Sequence, residues 1–557
     1  MNPNSIIPTL ALTAALAATS ASAAVPNPAK TRAYIDHTWA TLTRSMHECR
    51  ALIDARNKAH SIVYLPWRVK EPADLAASAK RCHVRVQHLP VPIRQLGAFD
   101  PTTLQSGGLL YLPYPYVVPG GAFNAMYGWD SYFIVLGLVA DHHAALALDM
   151  TNNALYEVRY YGGVLNANRT NFLTRSQPPF LSAMMRAVMG DPASFPDAAA
   201  KHSWLARAYP LAVRNYEIWT RKPHLAGDTG LSRYFDFGHG PAPEVPVDYY
   251  IGVIRWLVDH PAQNPGYLVK SPQHPDAAQI AALKKTSCDI DASKTCADAW
   301  FDGYRLTANY YLGDRAMRES GFDTDFHFGP FAGSTEQYAG VGLNSLLYRY
   351  ALDLHAFAAK LGKTADAKHW SEAAAARRRA MDKYLWHPHQ GRYMDYNFVT
   401  RRASDDPYLT MFYPLWAGAA SRHQAQAVRG QLPYFERRGG VAMSTRVTGA
   451  QWDAPYGWAP TNWLTVKGLQ AYGFRTDARR IACEFTGTID RSFAQSGTIV
   501  EKYNMYLGNA DVHVTAGYKQ NMVGFGWTNA VYLKLRQLIK ADGGCSPQAV
   551  PGADAAS

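Results

Sequence analysis

"LYRYALDLHAFAAKLG", residues 347–362, decides how this chain folds. Leu347, Ala351, Leu354, Ala358 and Leu361 recur at steps of four and three, which draws one apolar stripe along a helix of 3.6 residues per turn. Gly362 follows where such a helix would end in a left-handed cap. The same rhythm runs through Leu205, Tyr209, Ala212, Tyr216 and Trp219, where Pro210 predicts a kink, and through Trp527, Val531, Leu535 and Leu538. Alternating patterns that would mark strands are scarce. Between the helical stretches lie long loops rich in Gly, Pro and aromatic residues, at 107–131, 160–180, 236–248, 320–337 and 440–463. A mostly helical chain of 557 residues without a short repeat is expected to form one large helical domain with functional loops.

Composition agrees with a folded globular protein, at 48% hydrophobic and 18% charged residues. The net charge of +12 does not imply a nucleic-acid partner. The basic runs Lys284-Lys285, Arg377-Arg378-Arg379 and Arg401-Arg402 are short and scattered, and no zinc-finger spacing accompanies them.

The N-terminus is apolar from Ile6 to Ala18 and continues into Ala21-Ser22-Ala23, a small-x-small pattern, although no Lys or Arg precedes the apolar run. It reads as a signal peptide over 1–23, which predicts a periplasmic or secreted protein with no membrane attachment after cleavage. Residues 24–540 then form a single domain, and 541–557 form a tail held at Cys545. Six cysteines allow fifteen pairings, of which Cys288 with Cys296 closes a short local loop.

Chemistry is concentrated in the loops. "FNAMYGWDSYF", "ESGFDTDF", "QWDAPYGW", "VEKYN" and "GFGWTN" each join aromatic rings to a carboxylate or amide. Flat apolar faces suit the C–H faces of a pyranose, and acceptors suit its hydroxyls. Glycoside hydrolysis needs two carboxyl groups, one protonated to release the leaving oxygen and one ionised to activate water or attack carbon. Asp323, behind Gly321 and Phe322, and Glu501, behind Ile499 and Val500, stand in apolar surroundings that shift carboxyl pKa values. Taken singly, each is equally consistent with an ion-paired structural acid. His387 and His389 flank Pro388 in a turn and read as surface residues, and no GxSxG elbow supports a serine hydrolase.

Taken in order, these motifs resemble the trehalases, glycoside hydrolase family 37. "PGGAFNAMYGWDSYF" (119–133) and "QWDAPYGWAP" (451–460) resemble the two family signatures. "NANRTNFLTRSQPPF" (166–180), "ESGFD" (319–323), "VEKYN" (500–504) and "GFGWTNAV" (524–531) fall in family order between and after them, so the likeness spans about 110–540.

The resemblance implies an all-α fold, an (α/α)6 toroid of six helical hairpins with long active-site loops, as a single catalytic domain over 24–540 with an insertion around 256–300, where the stretch from Glu244 to Glu319 is longer than the family pattern. It also implies hydrolysis with inversion of an α-glucosidic disaccharide such as trehalose, without metal or organic cofactor. Asp323 would be the general acid and Glu501 the general base, separated by roughly 6.5 to 9.5 Å to admit a water. Phe123, Tyr127, Trp129, Asp130, Asn166, Arg175, Gln177, Glu244 and Trp452 would bind the sugar. Two family arginines are replaced, by Ala122 and Ala242, and a family acidic position falls on Tyr518. These departures keep open a different α-glycoside as substrate, or an inactive sugar-binding homologue. A phosphorylase of the same toroid would need a phosphate site in place of Glu501.

Overall fold

In the computed structural model, which describes residues 25–54, 58–271, 287–288, 299–517 and 519–545, the stripe from Leu347 to Ala358 lies on a helix, Val341–Lys360, and is buried along its length. Gly362 takes the expected left-handed conformation, φ 71°. Besides the short helices Cys49–Leu52, Ala73–Arg81 and Leu432–Phe435, the described residues carry these helices: α1 Pro28–Leu42, α2 Gly128–Ala140, α3 Ala144–Tyr161, α4 Leu181–Gly190, α5 Ala198–Trp219, α6 Val247–Asp259, α7 Ala308–Ser320, α8 Val341–Lys360, α9 Thr364–Tyr384, α10 Tyr413–Ala417, α11 Arg422–Arg429, α12 Ala459–Ala471, α13 Arg475–Ser496 and α14 Gly526–Ala541.

Six of them, α2, α4, α8, α10, α12 and α14, pack neighbour on neighbour into a closed ring, the last against the first. Each is followed by an outer helix (α3, α5, α9, α11 and α13), and α1 from the N-terminus backs α14 to complete the sixth hairpin. This is the (α/α)6 toroid. The division of labour shows in the side chains. α2 is buried continuously from Gly128 to Val135, because neighbours press on it from both sides and from outside. α9 buries only Ala367, Trp370, Ala374, Arg377 and Met381, one stripe facing inward, as an outer helix must. Closure is tied by Asp490 on α13, which accepts hydrogen bonds from Thr31 of α1 and Tyr532 of α14, both at 2.7 Å.

The approach of α2 to α14 depends on Gly137. A Cβ there would lie 2.4 Å from Ala530 Cβ and 2.6 Å from its Cα. Alanine is the better helix former by about 1 kcal/mol, yet forcing a methyl into backbone contact typically costs about 1–3 kcal/mol. Gly137→Ala is therefore expected to lower the melting temperature by several degrees, measured by circular dichroism.

Outside the ring, Ile62–Leu65 pairs in parallel with Arg85–His88 and with Leu109–Leu110 in a small sheet. α6 and α7 share a second apolar cluster with Val245, Tyr267 and Phe331, alongside the ring at its loop end. Disulfides join Cys49 to Cys82 and Cys483 to Cys545, the second pinning the end of the chain to α13. Cys296 of the expected Cys288–Cys296 pairing, the 1–23 segment, Tyr518 and most of the tail lie outside the described residues. Of the expected insertion around 256–300, the described part includes the end of α6, the strand Leu268–Lys270, paired with Tyr304–Leu306, and the strand Ser287–Cys288, paired with Val245–Pro246.

Candidate active site

The five loops predicted from composition converge on one end of the ring and enclose a cavity of about 470 Å³, a size suited to a small sugar. Every residue assigned to the site from sequence lines it: Asp323, Glu501, Phe123, Tyr127, Trp129, Asp130, Asn166, Arg175, Gln177, Glu244 and Trp452.

Local structure explains their placement. α2 starts at Gly128, so Trp129 and Asp130 sit in its first turn, where the Gln177 side-chain carbonyl accepts the Trp129 N–H at 3.0 Å. α7 ends at Gly321, φ 75°, whose hydrogens leave room for the Trp129 indole; a Cβ there would lie 3.0 Å from the ring. That turn delivers Phe322 to an aromatic floor and Asp323 to the cavity. The floor is built from Trp129, Phe322, Trp452, Trp458 and Trp527, with Trp452 and Trp458 stacked at 3.9 Å between centroids.

The "QWDAPYGW" loop is held on both sides. Trp452 N–H donates to Thr324 O at 3.1 Å, and Tyr408 OH donates to Trp452 O at 2.7 Å. Asp453 does not face the cavity. Its carboxylate accepts from Phe326 N–H at 2.9 Å and Thr448 OH at 2.7 Å, stapling this loop to the one bearing Asp323.

Two charged walls face each other across the site. On one, Arg175 donates through Nε to Asn166 Oδ1 at 2.9 Å and through Nη2 to Glu244. Burial pushes the Glu244 carboxyl up, but Arg175 and Arg318 outweigh it and hold it down at about 2. Beside them lies Asp323, which lines the cavity with its side chain 22% exposed. Burial raises its pKa to about 6, against the opposing pull of Arg318 and Arg175. On the other wall, burial also raises Glu501, opposed by Lys502, whose fully buried ammonium lies 3.2 Å from Glu501 Oε2. Lys502 also donates to Gln451 Oε1 at 3.1 Å and Gln520 O at 3.2 Å. Between the walls, burial together with the negative charge of Glu501 and Asp323 pushes Asp130 well up.

The arrangement presents one carboxyl poised to carry a proton and one held beside a lysine, over a stacked aromatic floor. Among the described residues there is no group of three or more His, Cys, Asp or Glu side chains placed to hold a metal ion. Sequence reasoning missed Arg318, Gln451, Trp458, Lys502 and Trp527. Arg318 adjoins the ESGFD motif and Lys502 lies within VEKYN, yet a single charge carries no pattern of its own. Glu319, in the same motif as Asp323, is structural: it is fully buried and accepts from Phe235 N–H at 2.7 Å and Ser176 N–H at 3.2 Å, with His224 Nε2 at 3.1 Å.

The trehalase family model matches residues 20–248 and 268–540. The chain belongs to the trehalase family. Its relatives in that glycoside hydrolase family include the cytosolic neutral trehalase of Saccharomyces cerevisiae, 32% identical over 86% of this chain and 67% of that protein, and those of Kluyveromyces lactis, 34% identical over 78% and 57%, and Neurospora crassa, 31% identical over 91% and 72%. The chain thus spans 57 to 72% of the length of these relatives. The solved structure of the neutral trehalase Nth1 from Saccharomyces cerevisiae superposes with a TM-score of 0.75 at 28% identity, covering 93% of this chain and 96% of that one.

These trehalases overturn one expectation. A periplasmic or secreted location was predicted from the apolar stretch 6–18, whereas these relatives are named cytosolic enzymes. An alanine-rich apolar run with small residues after it is a compositional signal alone, and this one lacks the basic residues that begin a signal peptide.

Proposed function

We propose that this trehalase-family protein hydrolyses trehalose to glucose with inversion, Asp323 acting as general acid and Glu501 as general base. The observation that carries the reading is the shared cavity: both carboxyls line it, one raised to about 6 by burial, the other beside the Lys502 ammonium. A carboxyl whose pKa is raised toward neutrality stays protonated where an ordinary one is ionised, and so holds the proton that the leaving oxygen takes. A carboxylate next to a buried lysine keeps its charge and accepts the proton of an attacking water. The aromatic floor supplies the apolar face, and Arg175, Asn166, Gln177, Glu244 and Asp130 supply directional partners for hydroxyls. Relatives named as trehalases favour trehalose over another α-glucoside, and both carboxyls in place speak against an inactive homologue.

The family match pauses at 249–267, which overlaps only the start of the 256–300 region read as an insertion.

Incubation with trehalose, maltose and other glucosyl disaccharides, followed by proton NMR of the anomeric region, tests the proposal. Trehalose is expected to be consumed, with β-glucose and α-glucose appearing together before mutarotation. Release of α-glucose alone would exclude inversion, and an inert trehalose sample would exclude the substrate.

A further inference from the structure

We infer that the end of the ring opposite the active site binds a phosphate dianion, free or carried by a small ester, between Arg186, Arg349, Lys467 and Lys534. The site is separate from the sugar cavity and independent of the roles given to Asp323 and Glu501.

A hollow of about 430 Å³ opens there, with Arg186, Lys467, Lys534 and the Trp416 indole in its wall. An adjoining hollow of about 420 Å³ shares Arg186, Trp416 and Lys467 and adds Arg349. All six inner helices reach this end. From α2, α12 and α14 the sugar cavity takes residues at or near the N-terminal end, Asp130, Trp458 and Trp527. The hollow takes Leu136, Lys467 and Lys534, about two turns farther along the same helices. Arg186 comes from α4, Arg349 from α8 and Trp416 from α10.

Among the described residues, these four cations share one paired carboxylate. Asp353, 1% exposed, accepts from Arg186 Nη1 at 2.7 Å, from Arg349 Nε and Nη2 at 3.0 and 2.7 Å, and from Ser182 OH at 3.0 Å. It orients both guanidinium groups and leaves Arg186 Nε and Nη2 and Arg349 Nη1 without a protein acceptor among the described residues. The lysines meet only neutral acceptors there: Lys467 donates to Gln470 Oε1, and Lys534 to Gln537 Oε1 at 3.1 Å. Asp542 acts on Lys467 as a more distant charge and is paired with Arg475 at 3.4 Å. Burial pushes both ammonium groups down from the ordinary lysine value, and the charge of Lys467 lowers Lys534 further.

Two like charges partly stripped of water and facing each other oppose folding. A phosphate dianion between them removes that repulsion and offers oxygens to the open edges of both guanidinium forks. The half-buried Trp416 indole, packed edge-on against Tyr132 and Phe180, gives the body of an ester an apolar wall beside those charges. Cations near helix C-termini also offset helix dipoles, an effect confined to the last turn. Arg186 and Lys467 stand four residues from the ends of α4 and α12, within that reach. Arg349 and Lys534 lie farther from the ends of α8 and α14, so dipoles do not account for them.

Isothermal titration calorimetry of the full chain with inorganic phosphate and with phenyl phosphate, at mildly alkaline pH and against sodium chloride of matched ionic strength, tests the site. Saturable binding is expected, weakened about 10- to 100-fold when Lys467→Met and Lys534→Met are combined. Tighter binding of phenyl phosphate, brought level with inorganic phosphate by Trp416→Leu, would identify an ester as the ligand. Equal binding of the two would identify the free anion. No heat beyond that of chloride would overturn the inference. Undiminished affinity in a double variant whose circular dichroism is native would overturn it too, by placing the anion elsewhere and leaving the lysines as helix-end charges. If the double variant fails to fold, Lys534→Gln alone decides, and an unchanged affinity again overturns the site.

Discussion

Glu501→Gln is expected to lower kcat on trehalose by about 10²- to 10⁴-fold, the usual contribution of a positioned general base, with the melting temperature nearly unchanged. The substitution is close to isosteric, and the backbone at 501 is anchored independently of the side chain. Glu501 N–H donates to Met522 O at 2.9 Å, while its carbonyl accepts from Trp527 Nε1 at 3.2 Å. Lys502 would lose one carboxylate oxygen and keep Gln451 and Gln520 as partners. What disappears is the acceptor for the water proton. Because the ionised form is the working one, activity in the parent enzyme should fall as pH drops through the Glu501 pKa, which burial raises against the pull of Lys502. Steady-state kinetics beside a thermal melt decide the matter: a loss below about threefold in a folded variant would remove Glu501 from the chemistry.

How far the sequence announces this molecule depends on the kind of signal each element leaves. α5, α8 and α14 are legible because apolar residues recur along each at helical spacing. Other inner helices leave weaker traces: α2 is buried almost throughout and has no polar face to set its period, and α10 is five residues long, shorter than two turns. The strand Ile62–Leu65 is a short apolar run, which periodicity cannot separate from a helix fragment. In the site, aromatic rings beside carboxylates in Gly- and Pro-rich loops stand out, so Trp452 and Asp323 can be named in advance. Asp453 shows the limit, since the same loop sends one neighbour into the cavity and the other into a staple behind it. Arg318, Lys502 and Trp527 become functional only through contacts made across the ring.

Asp323→Asn should produce a loss of similar size on trehalose, about 10²- to 10⁴-fold, with a different signature. Asparagine keeps the shape of the group and carries no acidic proton, so the glucose leaving group must depart as an alkoxide, a poor one. A substrate whose leaving group needs no proton escapes that penalty. α-Glucosyl fluoride releases fluoride, and Asp323→Asn is expected to hydrolyse it within about tenfold of wild type, whereas Glu501→Gln should remain slow because water still lacks its base. The pH profile gives an independent check. Kinetics at low substrate report the free enzyme, and the protonated acid is the active form. Trehalose turnover should therefore decline as pH rises through about 6, the value to which burial lifts Asp323. With glucosyl fluoride that alkaline limb should disappear. Equal losses on both substrates in Asp323→Asn would mean that residue 323 positions the sugar rather than protonating the departing oxygen.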